Sequence, residues 1–326
     1  MIPLDPAFIR VYGREATEAA IRRIVCSVKF EWLEQSHALR LRGPDMPYHS
    51  GDPYLEAFLQ GFKQGLRIGD IMAFHSHEAL FDLCFEDSWS GYFIADRIRD
   101  QRTEEAVVLI HLDDHTDMMS TLLTSTNGAI GDCMLGTQFD PAKSRDWEQS
   151  IYSGCVGIGN FITPLYYSRH RVHVRHLNSK GPIQQLPVEV FREPVRYALI
   201  PDMEFAGLRK GDAVTEAGAG TYGVATDARS ILADLPLGKT VVHIDLDYLV
   251  NDFDGNAKGA TEYRPDDSLA LAGRDKLDRF FEALNRADCP VDRWIVGTSP
   301  GFCSALHWPW MLREIEHHIA ARQARA

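Results

Sequence analysis

Residues 106–119, AVVLIHLDDHTDMM, run an apolar, β-branched stretch directly into Asp113, Asp114, His115, Thr116 and Asp117. A continuous apolar run of this length reads as a strand buried on both faces, which is the habit of parallel sheets. Alternate side chains of an extended chain share a face, so Asp113, His115 and Asp117 converge while Asp114 points away. Three such groups in one place repel and desolvate one another unless a cation joins them. One strand end thus constrains both the sheet and its chemistry.

Other short apolar runs recur at Ile71 to Phe74, Arg196 to Ile200, Thr240 to Leu246 and Arg293 to Thr298. Helical patterns lie between them, the clearest being Leu277, Phe280, Phe281 and Leu284, which stops before Cys289-Pro290. Alternating strands and helices predict an α/β chain, a three-layer α/β/α sandwich around a mainly parallel sheet. No internal repeat or Pro/Gly/Ser-rich linker divides it, so residues 1–326 read as one domain, and Glu216 to Gly223 (EAGAGTYG) reads as a mobile loop. Ligands of such sheets collect beyond the carboxyl ends of the strands. Two further runs end in suitable groups: KTVVHIDLDYLVNDFDG reaches Asp245 and Asp247, two apart on one face, and GDIMAFHSHEAL reaches His75 and then His77. Asp113, Asp117, Asp245 and Asp247, with His115 and one of His75 or His77, form a hard O/N donor set suited to a pair of ions such as Mn²⁺.

Composition excludes several alternatives. With 34 Lys/Arg against 46 Asp/Glu the net charge is −12, and no basic run supplies the footprint of a nucleic-acid binder. No stretch of apolar residues is long enough to span a bilayer, and MIPLDPAFIRVYGREATEAA lacks the basic and apolar regions of a secretion signal, so the expected location is the cytoplasm. The six cysteines are scattered without a CxxC pair, which predicts reduced thiols rather than a disulfide framework or zinc knuckle.

The order His, D-x-H-x-D, D-x-D resembles that of the arginase and histone-deacetylase superfamily, whose members hold metals at the carboxyl edge of the sheet. LDDHTDMMSTLLTSTNG is similar to the second metal motif of arginases, and HIDLD to their later aspartate motif. Three stretches resemble a divergent branch of peptide arginases: GIGNFITP (Gly157 to Pro164), HIDLDYLVNDFDGN (His243 to Asn256) and VGTSPGF (Val296 to Phe302). The resemblance covers Ile71 to Phe302. It implies a hydrolase of linear amidine C–N bonds with two Mn²⁺ per chain, converting arginine in a ribosomally made precursor peptide to ornithine and urea with hydroxide as nucleophile. By the same resemblance Asp113 and Asp245 bridge the ions, His75 or His77 and Asp117 complete one site, and His115 and Asp247 the other. Asp117 would pass a proton to the leaving amine, with His170, His173 and His176 (RHRVHVRH) either an alternative shuttle or one exposed face of a strand.

Departures from the pattern bear on the substrate. Met119 stands where arginases of the free amino acid carry an Asn that contacts the substrate carboxylate, and Ile130 where they carry a further His; the intervening segment, Ser120 to Gly131, reads as a loop. A peptide-linked arginine needs neither contact, so the expected partner is an arginine-containing peptide. Glu78, Glu204 and Asp252 are the candidates for holding its guanidinium. The rival expectations are a deacetylase-like amide hydrolase, marked by a single metal beside paired histidines, and a non-catalytic, metal-stabilised peptide-binding partner. An oligomer is compatible with all three.

Overall fold

Runs of Val, Ile and Leu flanked by turn-forming residues build the centre of the molecule. The computed structural model describes every residue except 26, 46–50, 63–64, 100–104, 181–183, 212–217, 256–262, 264–265 and 326. A three-stranded antiparallel sheet joins β1 (Ile2–Pro3), β2 (Val28–Leu33) and β3 (Ala38–Pro44). The main sheet contains β4 (His75–His77), β5 (Asp82–Cys84), β6 (Ala106–Leu112), β10 (Val172–Leu177), β11 (Gln184–Arg192), β14 (Leu208–Gly211), β15 (Gly220–Ala225), β16 (Gly238–Asp245) and β17 (Arg293–Gly297). Its order is β14-β11-β15-β10-β6-β16-β17-β5-β4. The strands from β15 to β5 run parallel, and antiparallel strands close both edges. The chain is therefore α/β with a mixed, mostly parallel sheet. A five-stranded antiparallel sheet of β7 (Leu123–Thr126), β8 (Ala129–Asp132), β9 (Thr137–Phe139), β12 (Val195–Tyr197) and β13 (Ile200–Phe205) lies beside it.

Strand parity divides the apolar core in two. Val107, Leu109 and Val241 pack with Trp89 and Phe93 of helix Ser88–Arg99 and Trp147 of helix Ser144–Ser153. Ile110, Leu112, Val242 and Ile244 pack instead with Leu277, Phe280 and Phe281 of helix Asp267–Arg286 and Ile315 and Ile319 of helix Trp308–Gln323. Each fully buried side chain of this kind contributes about 1.5–3 kcal/mol relative to an exposed one. Asp266 caps the long helix by accepting from the Ser268 amide at 2.8 Å, and the helix ends short of Cys289-Pro290, as its spacing predicts.

Four expectations change. Ile71 to Phe74 is not a strand: it falls in a 3₁₀ helix, Ile68–Ala73, and the strand begins only at His75. Arg196 to Ile200 does not form one buried strand; it is the turn of the β12–β13 hairpin in the outer sheet. The segment from Ser120 to Gly131 contains the β7–β8 hairpin, turned at Asn127-Gly128, whose positive φ values of 51° and 81° make it the two-residue turn that Asn-Gly favours. Of Glu216 to Gly223, residues 216–217 lie outside the described residues, whereas Gly220 onward is strand β15, paired with β10. Among the described residues no helix is long and apolar enough to cross a membrane.

Candidate metal centre

β6 and β16 are neighbours, with His111 opposite His243 and Leu112 opposite Ile244. The chain leaves β6 for β10 on one side and β16 for β17 on the other. Side chains beyond this point of divergence face a crevice open at the strands' carboxyl ends. β6 delivers Asp113 and β16 delivers Asp245, both buried. Asp245 accepts from the Asp247 amide at 2.8 Å and so starts the short helix Leu246–Leu249 that fixes Asp247. A third parallel strand, β5, leads into Asp87, also buried. Gly297, paired with Asp245, makes room for it: a Cβ there would lie 1.6 Å from Asp87 Oδ1. Asp117 (φ 48°) and Ser299 (φ 45°) hold left-handed backbone at the same place, a conformation costing about 1–3 kcal/mol where it persists.

The cluster lacks partners. Asp87 Oδ1, Asp113 Oδ2, Asp117 Oδ2, Asp247 Oδ2, His111 Nε2 and His243 Nε2 are buried without a hydrogen-bond partner among the described residues. Buried polar atoms are ordinarily satisfied, and unpartnered oxygens and nitrogens this close together make a donor set that could hold a cation. Three overlapping groups of ligand-type atoms share Asp113: with His111 and His243, with His115 and Asp247, and with Asp87 and Asp117. Burial, followed by mutual repulsion, pushes the carboxyls of Asp113, Asp117, Asp245 and Asp247 above their ordinary range. Asp87, against its burial, is held below that range by its neighbours Asp245 and His243. Ser299 Oγ sits between Asp87 Oδ2 (2.7 Å) and Asp245 Oδ2 (2.6 Å), and its single proton serves one of them. His115, 2.8 Å from Asp247 Oδ2, is raised to about 9 despite its burial.

These shifts give a sign to the stability of the cation-free protein. The raised carboxyls keep protons that the unfolded chain releases near pH 4. Their stabilisation is present below that pH and is lost as pH rises through the folded values. Chelator-treated protein should melt at progressively lower temperature as pH rises above about 4, the range in which an ordinary Asp releases its proton. Added Mn²⁺ should reverse the fall, by about 2.7 kcal/mol at a hundredfold excess over Kd. Scanning calorimetry with and without Mn²⁺ reads both.

A row of three histidines lies beneath the carboxylates. His176, His111 and His243 are register partners on β10, β6 and β16. His176 Nε2 lies 2.8 Å from the Asp113 carbonyl and its Nδ1 2.7 Å from the Tyr222 hydroxyl, and burial keeps it neutral, pushed down to about 4. His111 and His243 meet at Nδ1, 3.0 Å apart. Burial, then the neighbouring His176 and His243, holds His111 well below the ordinary imidazole value. The sequence signal for two of the row is the spacing in LIHLDD and VVHIDLD, which places His111 and His243 two residues before the aspartates on the same face.

His75 and His77 do not join the cluster. β4 runs antiparallel to β5 at the sheet's edge, which turns His77 toward the opposite end of the strands. There His77 Nδ1 lies 2.5 Å from Asp82 Oδ1, and Asp82 in turn pairs with Arg293. The His75 ring stacks on Trp89 at 3.8 Å, with Nδ1 3.0 Å from the Ala73 carbonyl. Asp87, rather than either histidine, stands with Asp113 and Asp117. His75→Ala and His77→Ala should each leave Mn²⁺ stoichiometry unchanged, measured by elemental analysis after dialysis. Three candidate substrate acids also lie elsewhere: Glu78 is bonded to Ser76, Glu204 is paired with Arg196, and Asp252 accepts from the Ser304 amide and Tyr263 hydroxyl. RHRVHVRH is not an exposed face, since β10 is buried throughout; His170 bonds the Glu105 carbonyl, His173 bonds Thr221, and only His176 reaches the centre.

A cleft of about 560 Å³ opens over the carboxylates. Asp87, Asp117, Asp245 and Asp247 form its floor; Met119, Ile151, Val156, Ile158 and Phe302 give it apolar walls. Met119 is 54% exposed, and its backbone is held by the Gly159 carbonyl and the Thr163 hydroxyl. No protein family matches the chain. No curated protein matches it either. Two of the cleft's acids stand apart from the floor: Asp114, bound to Ser179 and paired with Lys180 at 3.2 Å, and Asp45, whose carboxylate has no partner among the described residues. The floor can hold divalent cations, and the walls favour a substrate with an apolar or uncharged body.

Proposed function

We propose that this chain is a peptide arginase of the arginase-like three-layer fold, hydrolysing arginine side chains within a peptide to ornithine and urea at a two-ion Mn²⁺ centre. The observation that carries the reading is the set of unpartnered buried Asp and His atoms at the floor of an apolar-walled cleft, on the D-x-H-x-D and D-x-D segments that resemble arginases. Five carboxylates converge there, those of Asp87, Asp113, Asp117, Asp245 and Asp247. One divalent ion leaves most of that charge uncompensated, and two offset nearly all of it. Oxygen-rich sites with one or two imidazoles suit Mn²⁺. When bound, such ions supply a water that ionises near neutral pH and polarise the group under attack.

The chain's own residues do the rest. Asp113, with Asp87 and Asp117, would hold one ion, and Asp113, with His115 and Asp247, the other, with Asp245 at the neighbouring strand end beside them. Asp117, on the cleft floor, passes a proton to the departing amine. Asp45 holds the guanidinium's charge from the wall, so Asp45→Asn should raise KM for an arginine peptide about tenfold, about 1.4 kcal/mol, at unchanged Mn²⁺ content. The deacetylase-like alternative calls for paired histidines facing the substrate, whereas His111 and His243 are fully buried beneath the floor and do not line the cleft. Elemental analysis of dialysed enzyme, coupled to urea release from an arginine-containing peptide, tests the proposal: two Mn²⁺ per chain with urea support it, and a metal-replete protein that releases no urea from any such peptide contradicts it.

A further inference from the structure

The pair beneath the floor bears on how the cations are held. His111 Nδ1 and His243 Nδ1 are 3.0 Å apart, with rings 5.1 Å apart and 21° from parallel, and both side chains are fully buried. A contact between two ring nitrogens requires one N–H and one lone pair. With both rings neutral the tautomers are complementary: the ring that donates at Nδ1 has a lone pair at Nε2, and the ring that accepts carries its proton at Nε2. The outer nitrogens face different surroundings. His243 Nε2 is 3.5 Å from Asp87 Oδ1, whereas His111 Nε2 is 3.5 Å from Asp113 Oδ2 and 3.8 Å from Asp117 Oδ2.

One of the two assignments turns a nitrogen lone pair toward the oxygens of two carboxylates, where a cation can join all three. If His243 carries its proton on Nε2, that proton faces Asp87 Oδ1, 3.5 Å away, and the ring accepts from His111 at Nδ1. His111 then presents a lone pair to two carboxylate oxygens, an arrangement that is repulsive unless a cation lies among the three. The reverse assignment sets the His243 lone pair against Asp87 Oδ1, where only that single oxygen faces it. We infer that His111 supplies a nitrogen ligand, from inside strand β6, to the ion held by Asp113 and Asp117. His243 and Asp87 are the positioning residues that fix its tautomer. A carboxylate–imidazole chain behind a ligating histidine raises its basicity and sets its orientation. The inference rests on the cation-binding part of the proposed function, and on no catalytic step.

The test is NMR of ¹⁵N-histidine-labelled protein loaded with ¹¹³Cd²⁺, a diamagnetic stand-in for Mn²⁺. The expected result is cadmium splitting on two imidazole nitrogens, those of His115 and His111, with His243 protonated at Nε2. His111→Gln should remove one splitting. His243→Gln should keep both while weakening Mn²⁺ binding about 10–100-fold, the usual effect of losing a partner behind a ligand. The wild-type spectrum is read on protein that needs no substitution, so a misfolded variant does not decide the matter. Splitting confined to His115, or found on His243, overturns this inference and leaves the proposed function standing. Failure to take up either cation overturns both.

Discussion

Asp113→Asn should lower hydrolysis of an arginine peptide by at least about a thousandfold, roughly 4 kcal/mol in the barrier. Asp113 belongs to all three overlapping groups of ligand-type atoms, so no other single residue touches as much of the donor set. Removing one charge from a buried, compensated set costs roughly 3–5 kcal/mol. The amide keeps the shape and retains an oxygen for the His115 amide proton, so the loss reports charge rather than packing. Stability should move the other way. In the cation-free chain the Asp113 carboxyl is pushed well above its ordinary range by burial and then by Asp117, Asp247 and Asp87. Asn removes that strain, so the cation-free variant should melt no lower than the cation-free wild type at pH near 8, while Mn²⁺ no longer raises its melting temperature. Asp114→Asn is the control. Its side chain engages Ser179 and Lys180 rather than the cluster, so its activity should stay within about threefold of wild type, less than 1 kcal/mol. Equal damage from both substitutions would show that alternation beyond β6 does not separate the two aspartates.

Free L-arginine should be turned over at least about a thousandfold less efficiently than arginine within a peptide, in kcat/KM, which is roughly 4 kcal/mol. The cleft explains the gap. Above the floor it presents Met119, 54% exposed, with Ile158 and Phe302, where a free amino acid would place a carboxylate and an ammonium. Bringing those charges against apolar walls without partners costs several kcal/mol. Ile130 is buried in β8 and does not line the cleft. A peptide carries amides there instead. Its neighbouring residues have a cleft of about 560 Å³ to fill, so remote contacts position the guanidinium over the floor. Progress curves for the two substrates at equal enzyme and Mn²⁺ would show the difference directly.

Much of this was legible in the sequence because the decisive signals are local. β6 and β16 are short apolar runs ending in Asp113 and Asp245, side by side in the sheet, whereas Asp117, with left-handed backbone, and Asp247, in the short helix Leu246–Leu249, join them through local turns rather than strand alternation. The long helix followed from Leu277, Phe280, Phe281 and Leu284, a pattern that tertiary context reinforces rather than opposes. What was missed depends on pairing partners distant in the chain. His75 follows an apolar run as a ligand should, yet β4 pairs antiparallel at the edge, and strand direction is not written in a three-residue segment. Asp87 sits in FEDSW with no distinguishing pattern; it becomes a floor residue because Gly297, far along the chain, leaves space for it. His111 and His243 carried a signal that was available: each lies two residues before an aspartate on the same face. Their meeting across β6 and β16 required the register of the sheet.

The central claim is tested most directly by the products formed from a single peptide carrying both an arginine and an acetyl-lysine, incubated with Mn²⁺-loaded enzyme and followed by mass spectrometry. The account predicts ornithine in place of arginine, stoichiometric urea and an intact acetyl-lysine, all abolished by chelation and restored by Mn²⁺. Release of acetate with the arginine unchanged would contradict it and give the cleft to amide hydrolysis.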